Sequence, residues 1–390
     1  MTKASIATRV FLKVLENAQH GVVDVRFPDG KRQSYGSGNN RIEVTVKDWA
    51  VFDLLFQKGD LGLAEAIIEG RLVVDDVAGL VEWACRNDQA LGEAFRGKWY
   101  GVLAQRIRHL LSRNSRNGAR QNIIAHYDLG NEFYRLWLDA SMTYSSGIYQ
   151  TGHETLEEAQ RIKYDRLIDR LDIKASDHVL EIGCGWGGFF SRAVQRTGCK
   201  VTAVMNSPEQ ARHNRELIGA SGMESNVDLQ QIDYRDIQGK FDKIVSIEMI
   251  EAVGESYWPD YFGKIGSVLK DRGKTMIQGI TIREDLFYSY SKGTDFIQQY
   301  VFPGGMLLTD RTFREKGAEN KMALSDRMEF PGSYVKTLKA WRENFAASRP
   351  SVESMGFDEK FIRMWNLYLS YCEGAFRANR ISVGQYLLER

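Results

Sequence analysis

The chain has 390 residues, 43% hydrophobic and 26% charged, a composition that fits a soluble globular protein of two or three domains. With 52 Lys and Arg against 51 Asp and Glu, the bulk charge names no partner, and nucleic-acid binding is not expected. No run approaches the ~18 apolar residues of a membrane span, and the first 21 residues lack the apolar core and small-residue cleavage site of a signal peptide. Cys85, Cys184, Cys199 and Cys372 are scattered, as are the six His residues. Neither a disulfide framework nor a metal site is expected, and a reduced, cytoplasmic protein is.

Residues 1–110 read as one small α+β unit. Segments 23–27 and 32–35 flank a turn at Pro28-Asp29-Gly30, and 42–46 alternates as a further strand. Helical periodicity follows at 49–57, 62–69, 75–86 and 91–111. No catalytic cluster lies here, so this unit is expected to serve packing, membrane docking or dimerisation. Between 101 and 120 there is no Asp or Glu, while Arg106, Arg108, Arg113, Arg116 and Arg120 accompany Val102, Leu103, Ile107, Leu110 and Leu111. The first half can form a helix whose basic face rests on anionic lipid, at roughly 1 kcal/mol per basic residue. A solvated linker helix is the alternative. Residues 111–122 read as a basic linker, and 123–390 as the catalytic domain. There, a dense aromatic-polar segment (122–149) and a helix (155–171) precede an alternation of strands and helices. The strands fall at 179–182, 200–204, 227–232, 243–247 and 274–282, with helices from about 189, at 208–220 and at 258–269. This order predicts an α/β fold: a Rossmann-like, doubly wound and mostly parallel sheet. Residues 287–390 read as loops and amphipathic helices, with Trp341, Trp365, Tyr368 and Tyr371 as core.

The segment Val179-Leu180-Glu181-Ile182-Gly183-Cys184-Gly185-Trp186-Gly187-Gly188 reads as an apolar strand, a Gly-rich turn and a helix start. Glycines permit positive φ and close approach of a ligand to the backbone. Glu181 lies at the carboxyl end of the strand, where open α/β sheets bind ligands. The spacing E-x-G-x-G-x-G fits the S-adenosylmethionine (SAM) loop of Rossmann-like methyltransferases better than the dinucleotide fingerprint; a tight structural turn is the alternative.

Several ordered segments together resemble the cyclopropane-fatty-acid synthase family, including the mycolic-acid methyltransferases. They are His126-Tyr127-Asp128-Leu129-Gly130-Asn131-Glu132-Phe133-Tyr134, Met142-Thr143-Tyr144-Ser145-Ser146, the Gly-rich loop, Ser207-Pro208-Glu209-Gln210, Asp233-Tyr234-Arg235-Asp236, Glu248-Met249-Ile250-Glu251-Ala252-Val253-Gly254 and Phe302-Pro303-Gly304-Gly305. Gly59-Asp60-Leu61-Gly62, with Glu65-Ala66 and Gly70-Arg71, resembles the N-terminal domain of longer members. The resemblance implies SAM as methyl donor and a cis double bond of an unsaturated phospholipid acyl chain as acceptor, worked on by a peripheral enzyme at the inner face of the membrane. A homodimer would be favoured by avidity. Tyr144 and Ser145 would then contact the methionine end of SAM; Glu181, Gly183 and Gly185 would line its backbone. Met205, Asn206 and Gln210 would hold the ribose, and Tyr234 and Arg235 would flank the adenine.

A sulfonium methyl is electrophilic without activation, so the protein's task is orientation and exclusion of water. Methyl addition leaves a carbocation, and proton loss from the added methyl closes a cyclopropane ring. In the family the base is a bound bicarbonate, whose holders fall at Ser146, Glu251, Gln278, Ile280 (through its backbone N–H) and Tyr334. Ser146 and Gln278 depart from the family's Cys and His. Ring closure is the first expectation, and a methyl- or methylene-branched product without a ring the alternative. Structural readings stay open for each holder: a helix-end pairing for Glu251, a turn for Ser146, a strand polar for Gln278, packing for Tyr334. A SAM- or lipid-binding protein without catalysis and a small-metabolite methyltransferase are the rival classes.

Overall fold

The structure, a computed structural model, describes residues 6–88 and 129–390. The expected helix at 91–111, the basic linker and the His126-Tyr127-Asp128 part of the first motif lie outside the described residues. The chain divides into two compact units whose membership differs from a single cut near residue 110. One takes the described residues of 1–111 with 292–301 and 341–380; the other takes those of 112–291 with 302–340 and 381–390.

In the first unit, β1 (Gly21–Arg26), β2 (Arg32–Ser37), β3 (Arg41–Val46) and β4 (Leu72–Val74) form a sheet of order β2-β1-β3-β4. The hairpin β1–β2 is antiparallel, β1–β3 parallel, and β3–β4 antiparallel. Helix Glu359–Arg377 belongs to this unit because it lies directly on helix Val77–Arg86. A Cβ at Gly374 would stand 2.5 Å from the carbonyl oxygen of Ala78 and 2.6 Å from Val81 Cβ. That complementarity joins segments nearly 300 residues apart, so no local sequence signal reveals it.

The second unit carries a seven-stranded sheet in the order β10-β11-β9-β8-β5-β6-β7. Its strands are β5 (His178–Ile182), β6 (Lys200–Met205), β7 (Val227–Gln231), β8 (Phe241–Ile247), β9 (Leu269–Ile282), β10 (Ala323–Glu329) and β11 (Ile381–Glu389). The pairs from β9 through β8, β5 and β6 to β7 are parallel, and β11 and β10 add an antiparallel edge. Alternate residues of the central strands enter two different cores. Leu180, Ile244, Ile277 and Leu388 pack with Tyr261, Phe262 and Ile265 of helix Trp258–Val268. Their neighbours Val179, Val245, Met276 and Leu387 pack with Leu167, Ile168, Phe189 and Phe190 of helices Leu156–Leu171 and Gly188–Thr197. Burial on both faces explains the near-continuous apolar strands, as in other doubly wound sheets. It also bears out the fold class expected from the alternation.

β10 and β11 are absent from the sequence reading. β10 alternates only between exposed and half-buried positions, Ala-Leu-Ser-Asp-Arg-Met-Glu, and so carries no apolar period. Helix Leu156–Leu171, which reaches under the candidate site, begins with a reciprocal capping box between Thr155 and Glu158. Thr155→Ala is expected to lower stability by about 1 kcal/mol, read as a lower urea midpoint with an unchanged slope.

Candidate active site

The Gly-rich turn follows β5, and its geometry needs glycine. Gly183 and Gly185 have φ of +81° and +52°, a region that L side chains rarely adopt. A Cβ on Gly183 would meet Met249 at 2.8 Å, whereas nothing lies within 4 Å of where one would stand on Gly185. The N–H groups of Gly183 and Cys184 donate to the carbonyl of Val204, which fixes the turn to the end of β6. Glu181 is buried near the start of the following helix, where the N–H of Phe190 favours its charge. Its Oε2 is buried with no partner among the described residues. Burial pushes this carboxyl well above the usual range, against the pull of that N–H and of Lys163. An orphaned acidic oxygen beside open backbone fits a cofactor that brings N–H groups or positive charge to the strand end.

The remaining expected cofactor contacts fall around this turn. Tyr144 packs among Tyr134 and Trp137, and Tyr134 in turn packs on Trp186 of the loop. Trp186 donates its indole N–H to Asn131 at 2.8 Å. The aromatic-polar segment thus clamps the Gly-rich turn. Ser145 is fixed twice: Lys163 Nζ donates to its hydroxyl at 2.7 Å and Gln160 Nε2 to its carbonyl at 2.8 Å. Met205 ends β6, Asn206 follows, and Ser207 caps the next helix by accepting the N–H of Gln210. Tyr234 is a member of the hydrophobic core, set edge-on to Tyr261. Arg235 is held by both oxygens of Asp233 at 2.7 Å each.

Beyond the Gly-rich turn, the centre of the site is a carboxylate that the sequence reading quoted but did not assign. Glu248 stands immediately after β8 with φ of +47°. Its Oε1 accepts the backbone N–H of Ser146 at 2.9 Å and Nε2 of Gln278 at 2.8 Å. Its Oε2 accepts the phenol of Tyr334 at 2.6 Å. Three of the five expected bicarbonate holders therefore converge on one protein carboxylate. Ser146 contributes its backbone, since its hydroxyl donates to the carbonyl of Gly147. The fourth and fifth, Glu251 and Ile280, pair with each other: the N–H of Ile280 donates to Glu251 Oε1. Bicarbonate does not fit this arrangement. Its donors are engaged, and a further anion would meet two carboxyl groups. The signal that could have found Glu248 is the one that singled out Glu181, an acid at the carboxyl end of a parallel strand.

Electrostatics separate the two carboxyl groups. Burial raises both, but Glu248 has three donors and the nearby Lys163 to favour its charge. Glu251 is pushed up to about 8 by burial and by the repulsion of Glu248, against the pull of the Ile280 N–H and of its own backbone N–H. Burial brings the Lys163 ammonium down to about 7, against the attraction of Glu248, Asp139 and Glu181. Such a site can keep one carboxylate charged beside one neutral acid.

Residues 114–386 match the model of the family described as mycolic acid cyclopropane synthetase. The chain belongs to that family. A tuberculostearic acid methyltransferase of Mycobacterium tuberculosis is 37% identical over 75% of this chain and 70% of its own length. The cyclopropane-fatty-acyl-phospholipid synthase of Escherichia coli K12 is 31% identical over 91% of this chain and 89% of its own. A mycolic acid cyclopropane synthase solved with SAH and CTAB superposes with a TM-score of 0.66 at 27% identity, covering 70% of this chain and 98% of that one. The protein is thus a SAM-dependent methyltransferase of the cyclopropane-synthase type, with SAM as methyl donor. No helix among the described residues is long and apolar enough to cross a membrane.

Glu251 titrates at 4.5 when unperturbed and near 8 in the fold. Between those values the folded state binds the extra proton, so its contribution weakens as pH rises through that window. The melting temperature of Glu251→Gln is therefore expected to fall less than that of the parent protein from roughly pH 5 to pH 9.

Proposed function

We propose that the protein transfers a methyl group from SAM to a cis double bond of an unsaturated phospholipid acyl chain, and that Glu248 accepts the proton that is then lost. The observation that carries this reading is the convergence of Ser146 N–H, Gln278 and Tyr334 on the Glu248 carboxylate. SAM supplies a sulfonium methyl, whose arrival on one olefinic carbon leaves a cation on the next. Glu181, Gly183 and Gly185 would line the cofactor's methionine part with Tyr144 and Ser145. Met205, Asn206 and Gln210 would hold its ribose, with Tyr234 and Arg235 near the adenine. Glu251, protonated, spares the site a second negative charge. Its neighbour Ile280 holds it through the backbone.

The product follows from how quickly the base acts. Ring closure requires the added methyl to lose a proton while the charge is still on the adjacent carbon. A hydride shift from the methyl-bearing carbon competes, because it converts a secondary cation into a tertiary one. Loss of a methyl proton after that shift leaves a methylene branch on the chain. Three hydrogen bonds occupy the Glu248 oxygens and must loosen before either can take a proton, which delays proton removal and gives the shift the advantage. We therefore read the product as methylene-branched, in place of the ring that a bicarbonate site implied. The 37% identical relative, named for tuberculostearic acid, supports this reading. Ring closure stands as the second reading, supported by the E. coli synthase matching over 91% of the chain. Reaching an olefin inside a bilayer makes the enzyme peripheral to the membrane's inner face, and paired copies would bind that surface more strongly.

Three measurements test this. Incubation with unsaturated phosphatidylglycerol vesicles and methyl-labelled SAM is expected to give a product with vinylidene proton resonances; high-field ring-methylene resonances would restore ring closure. Glu248→Gln is expected to lower kcat by about 10²–10⁴-fold, the range for loss of a general base, with SAM affinity retained. Activity in buffer stripped of carbon dioxide should equal that with added bicarbonate, and a requirement for the ion would remove Glu248 from the role of base.

A further inference from the structure

Gln278 is a symmetric-looking donor and acceptor, and something must decide which end of its amide meets Glu248. A buried chain of hydrogen bonds does so. Arg166 Nη1 donates to Gln385 Oε1 at 2.6 Å, and Gln385 Nε2 donates to Gln278 Oε1 at 3.0 Å. Gln278 Nε2 then donates to Glu248 Oε1 at 2.8 Å and to the Ser146 carbonyl at 3.2 Å. Gln278 and Gln385 are completely buried and sit opposite each other in the β9–β11 register. At the far end, Arg166 is held by Asp326 at 3.1 Å, which also takes Arg170. A guanidinium has donors only. It therefore obliges Gln385 to present oxygen to it and N–H to Gln278, and Gln278 in turn to present N–H to Glu248.

We propose that Arg166 and Gln385 are positioning residues that set the direction of this amide chain and so keep an N–H donor on Glu248, holding it as a carboxylate. Without Arg166 both amides can turn over and present the Gln278 oxygen, which only a protonated Glu248 tolerates. The other ionisable groups facing Glu248 are Lys163 and Tyr164 from helix Leu156–Leu171, Glu251 from the turn after β8, and Tyr334 from helix Pro331–Ala347. None of them lies in the chain of amides. The ionisation claim stands on the hydrogen-bond directions; only its kinetic consequence rests on Glu248 being the base.

Gln385→Glu isolates the effect. It keeps a partner for Arg166 in the same shape, yet a carboxylate cannot donate to Gln278, so the one donor that fixes the Gln278 oxygen is lost and the direction of its amide is no longer set. The titration of Glu248 is read in the full-length protein by infrared difference spectroscopy, its protonated carbonyl band identified by its loss in Glu248→Gln. The midpoint is expected to rise by about one to two pH units in Gln385→Glu and in Arg166→Met, the size of one lost charge-assisted hydrogen bond. Arg166→Lys should return it most of the way. The acidic limb of kcat/KM should move with it, while KM for SAM stays in place. An unmoved infrared midpoint in Gln385→Glu overturns the proposal. A moved midpoint with an unmoved kinetic limb upholds it and instead removes Glu248 from the role of base.

Discussion

The candidate site is organised around the set of donors gathered on the Glu248 carboxylate. A carboxylate drawn into a protein interior is costly unless its oxygens are satisfied. Here they are satisfied from three directions: a loop N–H at Ser146, a strand amide at Gln278 and a helix phenol at Tyr334. Each donor is itself tied down. The loop is laced to helix Pro331–Ala347 through Gly147 to Thr337 and Tyr149 to Ser333. The left-handed backbone of Glu248 is fixed by its own N–H on the Gln278 carbonyl. The geometry of one side chain thus depends on a loop, two strands and a helix being in place together.

The sheet supplies the rigidity that this requires. Because β5, β8 and β9 are buried on both faces, their carboxyl ends cannot shift without disturbing two cores. Glu181 lies opposite Val245 in the β5–β8 pair, and Glu248 follows at the residue just beyond the end of β8. The first keeps an unpartnered oxygen for a ligand, while the second is fully engaged by the protein. This contrast separates an acid with an oxygen open to a ligand from one whose oxygens the protein itself satisfies.

Much of this was legible in the chain. The period of strands and helices gave the parallel sheet, because two-sided burial writes itself as apolar runs. The Gly-rich turn was legible because positive φ favours glycine. Glu251, Gln278, Ile280, Tyr334 and Ser146 do come together, in the grouping that the family resemblance implied. In the structure three of them meet a protein carboxylate, Glu248. Glu248 lay within a quoted motif, but an acid on a strand end announces a site without announcing what binds it. Lys163, Gln160, Gln385 and Arg166 were silent because each is an ordinary polar residue of a helix or strand until its partner is known.

The sequence by itself determined the class of chemistry: the strand-end acid, the glycines and the ordered motifs are local patterns, and local patterns survive in one dimension. What only the tertiary structure decided was which groups meet: the donors of Ser146, Gln278 and Tyr334 on the carboxyl group of Glu248. Whether Tyr334 and Gln278 serve a captured anion or a side chain of the same protein turns on a few ångströms between segments 30 to 86 residues apart from Glu248. Hydrogen bonds fall off within such distances, so that decision belongs to the packing of the sheet and not to any stretch of the chain.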